Sequence, residues 1–127
     1  MSGGPTAIVC DDAPGFRVLM SAVLRDEGVD VVHHGATWAD AEALAVTVPD
    51  VIVVDLWMPT FEEEALSLVR EHAPDAILAV VTALDAEDAT RQVADIGVDL
   101  VLSKSRPPDE IAALIAARAR GAEAAPA

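Results

Sequence analysis

Two adjacent acids, Asp11 and Asp12, a further aspartate, Asp55, a threonine, Thr82, and the chain's single lysine, Lys104, each close or directly follow a short run of β-branched and apolar residues. Taken singly, each has an ordinary explanation. An aspartate between strand and helix is commonly a cap or turn residue, threonine is a regular strand residue, and lysine is usually a solvated charge. Their joint arrangement is not ordinary. Three carboxylates gathered on neighbouring strand ends repel one another, by about 4 kcal/mol per pair at roughly 4 Å and an effective dielectric near 20. One ammonium cannot neutralise three of them, whereas a hard divalent cation can. Mg²⁺ takes oxygen ligands from one or two carboxylates, waters and a phosphate oxygen. A carboxylate beside such a cation, faced by an ammonium and a hydroxyl, can attack phosphorus and become an aspartyl phosphate. An aspartate is ordinarily ionised at neutral pH, so no general base is required. The work of such a site is positioning and charge stabilisation.

Five stretches must position these residues: Thr6 to Cys10, Asp30 to His33, Val51 to Val54, Ile77 to Thr82 and Leu100 to Ser103. Each reads as a strand buried on both faces. Between and after them run segments with helical spacing. The clearest is Phe16, Leu19, Met20, Val23 and Leu24, followed by Ala41, Leu44, Ala45 and Val48, by Phe61, Ala65, Leu68 and Val69, and by Ile111, Leu114 and Ile115. Thr37 with Asp40, Thr60 with Glu63 and Asp85 with Asp88 have the spacing of helix-start caps. Gly28, Gly97 and Gly121 mark helix ends, and Pro14, Pro59 and Pro108 mark first turns. The order is βαβαβαβαβα. Parallel strands joined by right-handed helical crossovers give a doubly wound α/β sandwich. In such a sheet ligands bind beyond the carboxyl ends of the strands, where the five chemical residues fall.

The chain is 127 residues long, a single-domain length. Residues 1–5 read as a flexible N-terminus, 6–120 as the domain and 121–127 as a flexible, Ala/Pro-rich tail. The net charge of −14 excludes binding to a nucleic-acid backbone by this chain alone. The longest apolar run, Ala76 to Val81, is far too short to span a membrane. Met1 to Ala7 lacks the basic stretch and apolar core of a secretory leader, which makes the cytoplasm the expected location. A lone cysteine, Cys10, forms no internal disulfide and reads as a small core residue. His33 and His34 are adjacent on a strand, point to opposite faces and read as rim residues, not metal ligands. Glu62 to Glu64 reads as a solvated helix start, and Ala89, Val93 and Ile96 as core under the fourth helix.

Asp11-Asp12, Val53-Val54-Asp55-Leu56-Trp57-Met58-Pro59, Val81-Thr82-Ala83 and Leu102-Ser103-Lys104, in this order and spacing, resemble the receiver domain of two-component response regulators. The likeness runs from about Thr6 to Arg120. It implies a flavodoxin-like (βα)5 sandwich, with a five-stranded parallel sheet in the order 2-1-3-4-5. It also implies that Asp55 accepts a phosphoryl group from a sensor histidine kinase. Asp12, Asp55 and the main-chain carbonyl of Trp57 would bind Mg²⁺, with Asp11 acting mostly through water. Thr82 and Lys104 would engage the phosphoryl oxygens, and the small Ala83 would leave the pocket open. Ser105 after the lysine, the run Arg106-Pro107-Pro108-Asp109-Glu110-Ile111, and Asp11-Asp12-Ala13-Pro14-Gly15-Phe16-Arg17 resemble LuxR-type transcriptional regulators. That likeness implies a homodimer, or an output helix-turn-helix domain not present in this chain, as further partners. Two positions depart from the family pattern. Val101 stands where an aromatic residue often precedes the lysine by three positions, and Glu62-Glu63 replaces a common Asp-Gly pair.

Two other function classes compete. A Mg²⁺-dependent phosphatase of the haloacid dehalogenase type would need a second acid two residues after its nucleophile, where this chain has Trp57, and the sequence contains no Asp-x-Asp. A nucleotide hydrolase would need a Gly-rich loop ending in Gly-Lys-Ser/Thr, which is also missing. The remaining alternative is a receiver-like protein-interaction module that works without phosphorylation.

Overall fold

The computed structural model describes residues 4–58 and 63–123. Five strands alternate with five helices: β1 (Thr6–Cys10), α1 (Pro14–Asp26), β2 (Asp30–Gly35), α2 (Trp38–Ala45), β3 (Val51–Val54), α3 (Glu63–His72), β4 (Ile77–Thr82), α4 (Ala86–Gln92), β5 (Leu100–Ser103) and α5 (Pro108–Glu123). All four pairings are parallel, and the sheet order is β2-β1-β3-β4-β5. This is the flavodoxin-like order, whose direction of winding reverses beside β1.

The period-two alternation of the strands divides the core into two layers. Ile8, Cys10, Ile52, Val54, Leu78 and Val80 face α2, α3 and α4, where they meet Trp38, Ala41, Leu66, Val69 and Ala89. Ala7, Val9, Val51, Val53, Ala79 and Val81 face α1 and α5, where they meet Met20, Leu24, Ile111, Ala112 and Ile115. Full burial of each large aliphatic side chain is worth about 1.5–3 kcal/mol, which fixes register as well as stability.

Several local expectations are corrected. β2 runs two residues further than its apolar stretch, to Gly35, and it is not buried on both faces: Val32, His33 and His34 are exposed. It is an edge strand with one neighbour, and the register skips Val32 between Ala7 and Ile8, the mark of a bulge. Of the α1 stripe, Met20 and Leu24 are buried while Leu19 faces outward. In α3 the buried positions are Leu66 and Val69; Leu68 is only half-buried. In α5, Leu114 is exposed beside the buried Ile111 and Ile115. Val48 lies beyond the end of α2, exposed and with a φ of 58°. Val93 and Ile96 are buried as expected, but the short α4 has ended before them.

Among the caps, Thr37 and Asp40 form the full reciprocal box. Asp85 caps α4 by accepting from the Glu87 N–H at 2.9 Å, without the reciprocal arm from Asp88. Gly28 and Gly97 adopt left-handed turns, with φ of 84° and 81°, but only Gly28 follows directly on a helix end; α4 has stopped at Gln92, well before Gly97. Gly121 does not end α5, which continues to Glu123. One glycine costs about 1 kcal/mol in a helix, and the surrounding alanines carry the helix through it. Pro59, Thr60, Phe61 and Glu62 lie outside the described residues, as do 1–3 and 124–127.

At the amino ends of the strands, Asp99 ties the layers together. Its Oδ2 accepts from Arg70 of α3 at 3.1 Å and from the Leu78 N–H at 2.9 Å. Its Oδ1 lies 3.2 Å from Arg118 of α5. Arg70 also donates to the carbonyls of Ala73, Pro74, Ala76 and Gly97.

Candidate functional site

At the opposite, carboxyl end, sheet-like bonds continue past the strands and hold the loops in register. The Asp11 N–H donates to Gly35 O at 3.0 Å, the Asp55 N–H to Cys10 O at 3.2 Å, and the Lys104 N–H to Thr82 O at 2.8 Å. Gly35 is required by close approach: a Cβ there would lie 2.8 Å from Asp40 Cβ and 3.0 Å from Cys10 Sγ. The entry to α1 is shaped by Asp11 itself, whose Oδ1 accepts from the Ala13 N–H at 2.8 Å. Pro14 then opens the helix, where its missing amide hydrogen is harmless. Arg17, one turn on, donates from Nη1 to the Asp11 carbonyl at 2.5 Å.

These constraints bring together four of the residues singled out from sequence. Carboxylate oxygens of Asp11, Asp12 and Asp55 all lie within 4.8 Å of one another. The Lys104 ammonium sits 2.7 Å from Asp11 Oδ2 and 2.9 Å from Asp55 Oδ2. Asp11 and Asp55 are buried, whereas Asp12 is open to solvent. Burial pushes the Asp11 carboxyl upward, against the downward pull of Lys104 and the Ala13 N–H. Burial alone would lower the lysine, but its bonds to Asp11 and Asp55 outweigh that and hold it above its ordinary value.

Asp55 Oδ1 accepts from the Trp57 N–H at 3.0 Å, while the Trp57 indole is exposed. Thr82 is fully buried at the end of β4; its hydroxyl accepts from the Leu84 N–H at 3.4 Å. Its backbone carbonyl accepts from the Lys104 N–H. Val101 is half-buried and packs on the α2–α4 side of the sheet.

The group that this site would hold can be tested against one atom. Asp11 Oδ2 is buried and has the ammonium beside it, yet it accepts no aligned hydrogen bond. An oriented oxygen with a free lone pair, in an all-oxygen donor set with three formal negative charges, fits a hard divalent cation such as Mg²⁺. Asp11, Asp12 and Asp55 could supply its side-chain ligands.

The other residues weighed from sequence fall elsewhere. Cys10 is buried within β1, and desolvation pushes its thiol up to about 12, which makes it inert. His34 Nε2 lies 2.6 Å from Ser21 Oγ, and His33 is exposed on the edge strand. Two residues at the site escaped the sequence reading. Phe16 was expected as part of an apolar stripe and of the LuxR-type run, with no role at the site, but the Lys104 ammonium lies 4.2 Å from the centre of its ring. Arg17 figured only in that run. The available signal was position: both lie in the first turn of α1, where helical side chains lean back toward the N-terminus and hence toward the acids.

The family model of the response regulator receiver domain matches residues 7–116. Among curated proteins, the protein-glutamate methylesterase/protein-glutamine glutaminase of Halobacterium salinarum is 40% identical over 85 residues, which is 65% of this chain and 24% of that protein. The chain thus spans about a quarter of the length of that relative. Among solved structures, the signal receiver domain of NarL from Mycobacterium tuberculosis is 26% identical with a TM-score of 0.82, covering 93% of this chain and 98% of that one. A LuxR-family two-component response regulator from Aurantimonas sp. SI85-9A1 is 25% identical with a TM-score of 0.81, over 94% of this chain and 87% of that one. With the sheet order, the strand-end acids and the match over most of its length in agreement, the chain belongs to the response regulator receiver domain family.

Proposed function

We propose that Asp55 is a phosphoacceptor that takes a phosphoryl group from a sensor histidine kinase in a Mg²⁺-dependent reaction. The observation that carries this reading is the ammonium of Lys104 set between Asp11 and Asp55, at 2.7 and 2.9 Å, beside an acid cluster whose buried Asp11 Oδ2 has that ion pair but no aligned hydrogen bond. A carboxylate oxygen of Asp55 attacks phosphorus. The P–N bond to the donor imidazole breaks, and its electron pair leaves with the imidazole. Asp11, Asp12, Asp55 and the Trp57 carbonyl would hold Mg²⁺, which supplies Lewis-acid stabilisation of charge on the phosphoryl oxygens. Lys104 is close enough to exchange its Asp55 partner for a phosphoryl oxygen, and the Thr82 hydroxyl can exchange the long Leu84 contact for another.

Those exchanges bias a pre-existing equilibrium by adding charge and acceptor oxygens at one strand end. The outputs that this reading supports are the α4, β5 and α5 face, or α1 and α5, acting through a homodimer or a helix-turn-helix output domain. What favours the second of these partners is the LuxR-type resemblance of the runs around Asp11 and after Lys104.

The test is incubation with acetyl phosphate and Mg²⁺, followed by intact-mass measurement of the wild type and of Asp55→Asn. A single phosphoryl adduct on the wild type alone is expected. A wild type that stays unmodified would refute the reading and leave a phosphorylation-independent interaction module.

A further inference from the structure

We propose that Phe16 is a positioning residue for Lys104, its ring holding the ammonium in the acid pocket so that the amine is in place when a phosphoryl group arrives. The inference rests on the phosphoacceptor reading and adds a component to it. The ammonium lies 4.2 Å from the Phe16 ring centre while it spans Asp11 and Asp55, well inside the distance at which a ring face attracts a cation. Phe16 is half-buried and packs on the layer formed by α1 and α5, so the ring is fixed from behind.

The physical reason for an aromatic residue here is competition. The carboxylates that attract Lys104 are the same groups whose charge a divalent cation would draw on. An attraction that depends only on Asp11 and Asp55 therefore weakens when it is needed. A ring face has no lone pair to offer a metal and no charge to repel a phosphoryl oxygen. It keeps the ammonium in the pocket whatever the carboxylates are doing. Leucine in its place would keep the apolar packing and lose the cation contact.

The chain has one lysine, so ¹³C-lysine labelling reports Lys104 alone. In the metal-free wild type the ε-methylene protons are expected upfield of a free lysine through the ring current. The displacement should persist in Phe16→Tyr and vanish in Phe16→Leu. Phosphorylation by acetyl phosphate and Mg²⁺ should slow about two- to fivefold in Phe16→Leu, recover in Phe16→Tyr, and show no further loss when Phe16→Leu is added to Lys104→Gln. Melting curves of the variants exclude unfolding as the cause. An unshifted lysine signal, or an equal slowing with and without Lys104, would overturn the inference. A wild type that is modified while Phe16→Leu keeps its full rate would overturn it alone. A wild type that takes no phosphoryl group would overturn the parent reading as well.

Discussion

Lys104 Nζ and Asp55 Oδ2 are 49 residues apart in sequence and 2.9 Å apart in space. The pair neutralises part of an acid cluster that would otherwise oppose folding. Lys104→Met keeps the aliphatic stem and removes the charge, leaving Asp11 and Asp55 buried without a counterion. In the absence of divalent cations its stability should fall by about 2 kcal/mol. Urea unfolding with and without Mg²⁺ measures this, and the cation should recover much of the loss. An unchanged midpoint would show that the pair contributes nothing.

The acid cluster should make the wild type respond to the metal itself. Saturation at a hundredfold over the dissociation constant stabilises a folded protein by about 2.7 kcal/mol. We expect Mg²⁺ to raise the melting temperature of the wild type and leave Asp12→Asn nearly unmoved. With Trp38 replaced by Phe, the exposed Trp57 next to the pocket is the remaining indole, and its fluorescence should titrate with Mg²⁺.

The start of α2 supplies a pH test remote from the pocket. Asp40 Oδ2 accepts from the Ala36 N–H at 2.9 Å and the Thr37 N–H at 3.2 Å, while Thr37 Oγ1 accepts from the Asp40 N–H at 3.1 Å. The Ala36 bond is the main force holding the Asp40 carboxyl below the usual aspartate range. A depressed folded pKa contributes stability that is present above the unfolded value and lost as pH falls through the folded one. Asp40→Ala should therefore be less stable than the wild type at pH 7, and the two should converge in acid. Thr37→Ala should cost about 1 kcal/mol. Melting curves across pH 2–7 decide both, and a gap between wild type and Asp40→Ala that persists in acid would contradict the assignment.

Val48 carries a β-branched side chain at a φ of 58°, a region in which Cβ meets the following carbonyl. It is exposed, so the valine returns little packing. Val48→Gly should gain about 0.5–1 kcal/mol after glycine's own entropy is counted, and raise the melting temperature by a few degrees.

Two residues beyond Asp55 and Thr82 stand Trp57 and Leu84, whose side chains offer an attacking water no acceptor: leucine is apolar and the indole N–H can only donate. The aspartyl phosphate should be long-lived. Trp57→Gln should shorten its lifetime about tenfold, less than a true base would, because an amide orients water without accepting its proton. The decay of the mass adduct is the readout, and an unchanged decay would refute the role.

The doubly wound α/β class was readable from sequence because β-branched runs alternate with helical spacing and the crossover rule puts helices on both faces of the sheet, while the strand order came from the family resemblance. All five strands start where the apolar stretches start. What was hidden were matters of neighbourhood. β2 is as apolar in Val31 and Val32 as a central strand, and only its place at the sheet edge exposes it. Gly121 carries a stop signal that its alanine-rich context overrides. At the pocket, Asp11, Asp12 and Asp55 announced themselves through position at strand ends, and Lys104 through scarcity as well. Phe16 did not, since an aromatic in a helical stripe reads as core whether or not a cation rests on its face. The geometry of Thr82 was also out of reach: a hydroxyl's partner depends on a loop amide, here that of Leu84.

Asp99 and Arg70 bear on how such a molecule can move. With Arg118, they sew a helix from each side of the sheet to the amino ends of β4 and β5, at the end of the sandwich opposite the acids. With that floor stitched down, a rearrangement that starts at the pocket should be resisted at the base. On the proposed phosphoacceptor reading, the change would then be taken up by α4 and the loops after β4 and β5, and loosening the stitch at Asp99 should blur the message without touching the chemistry.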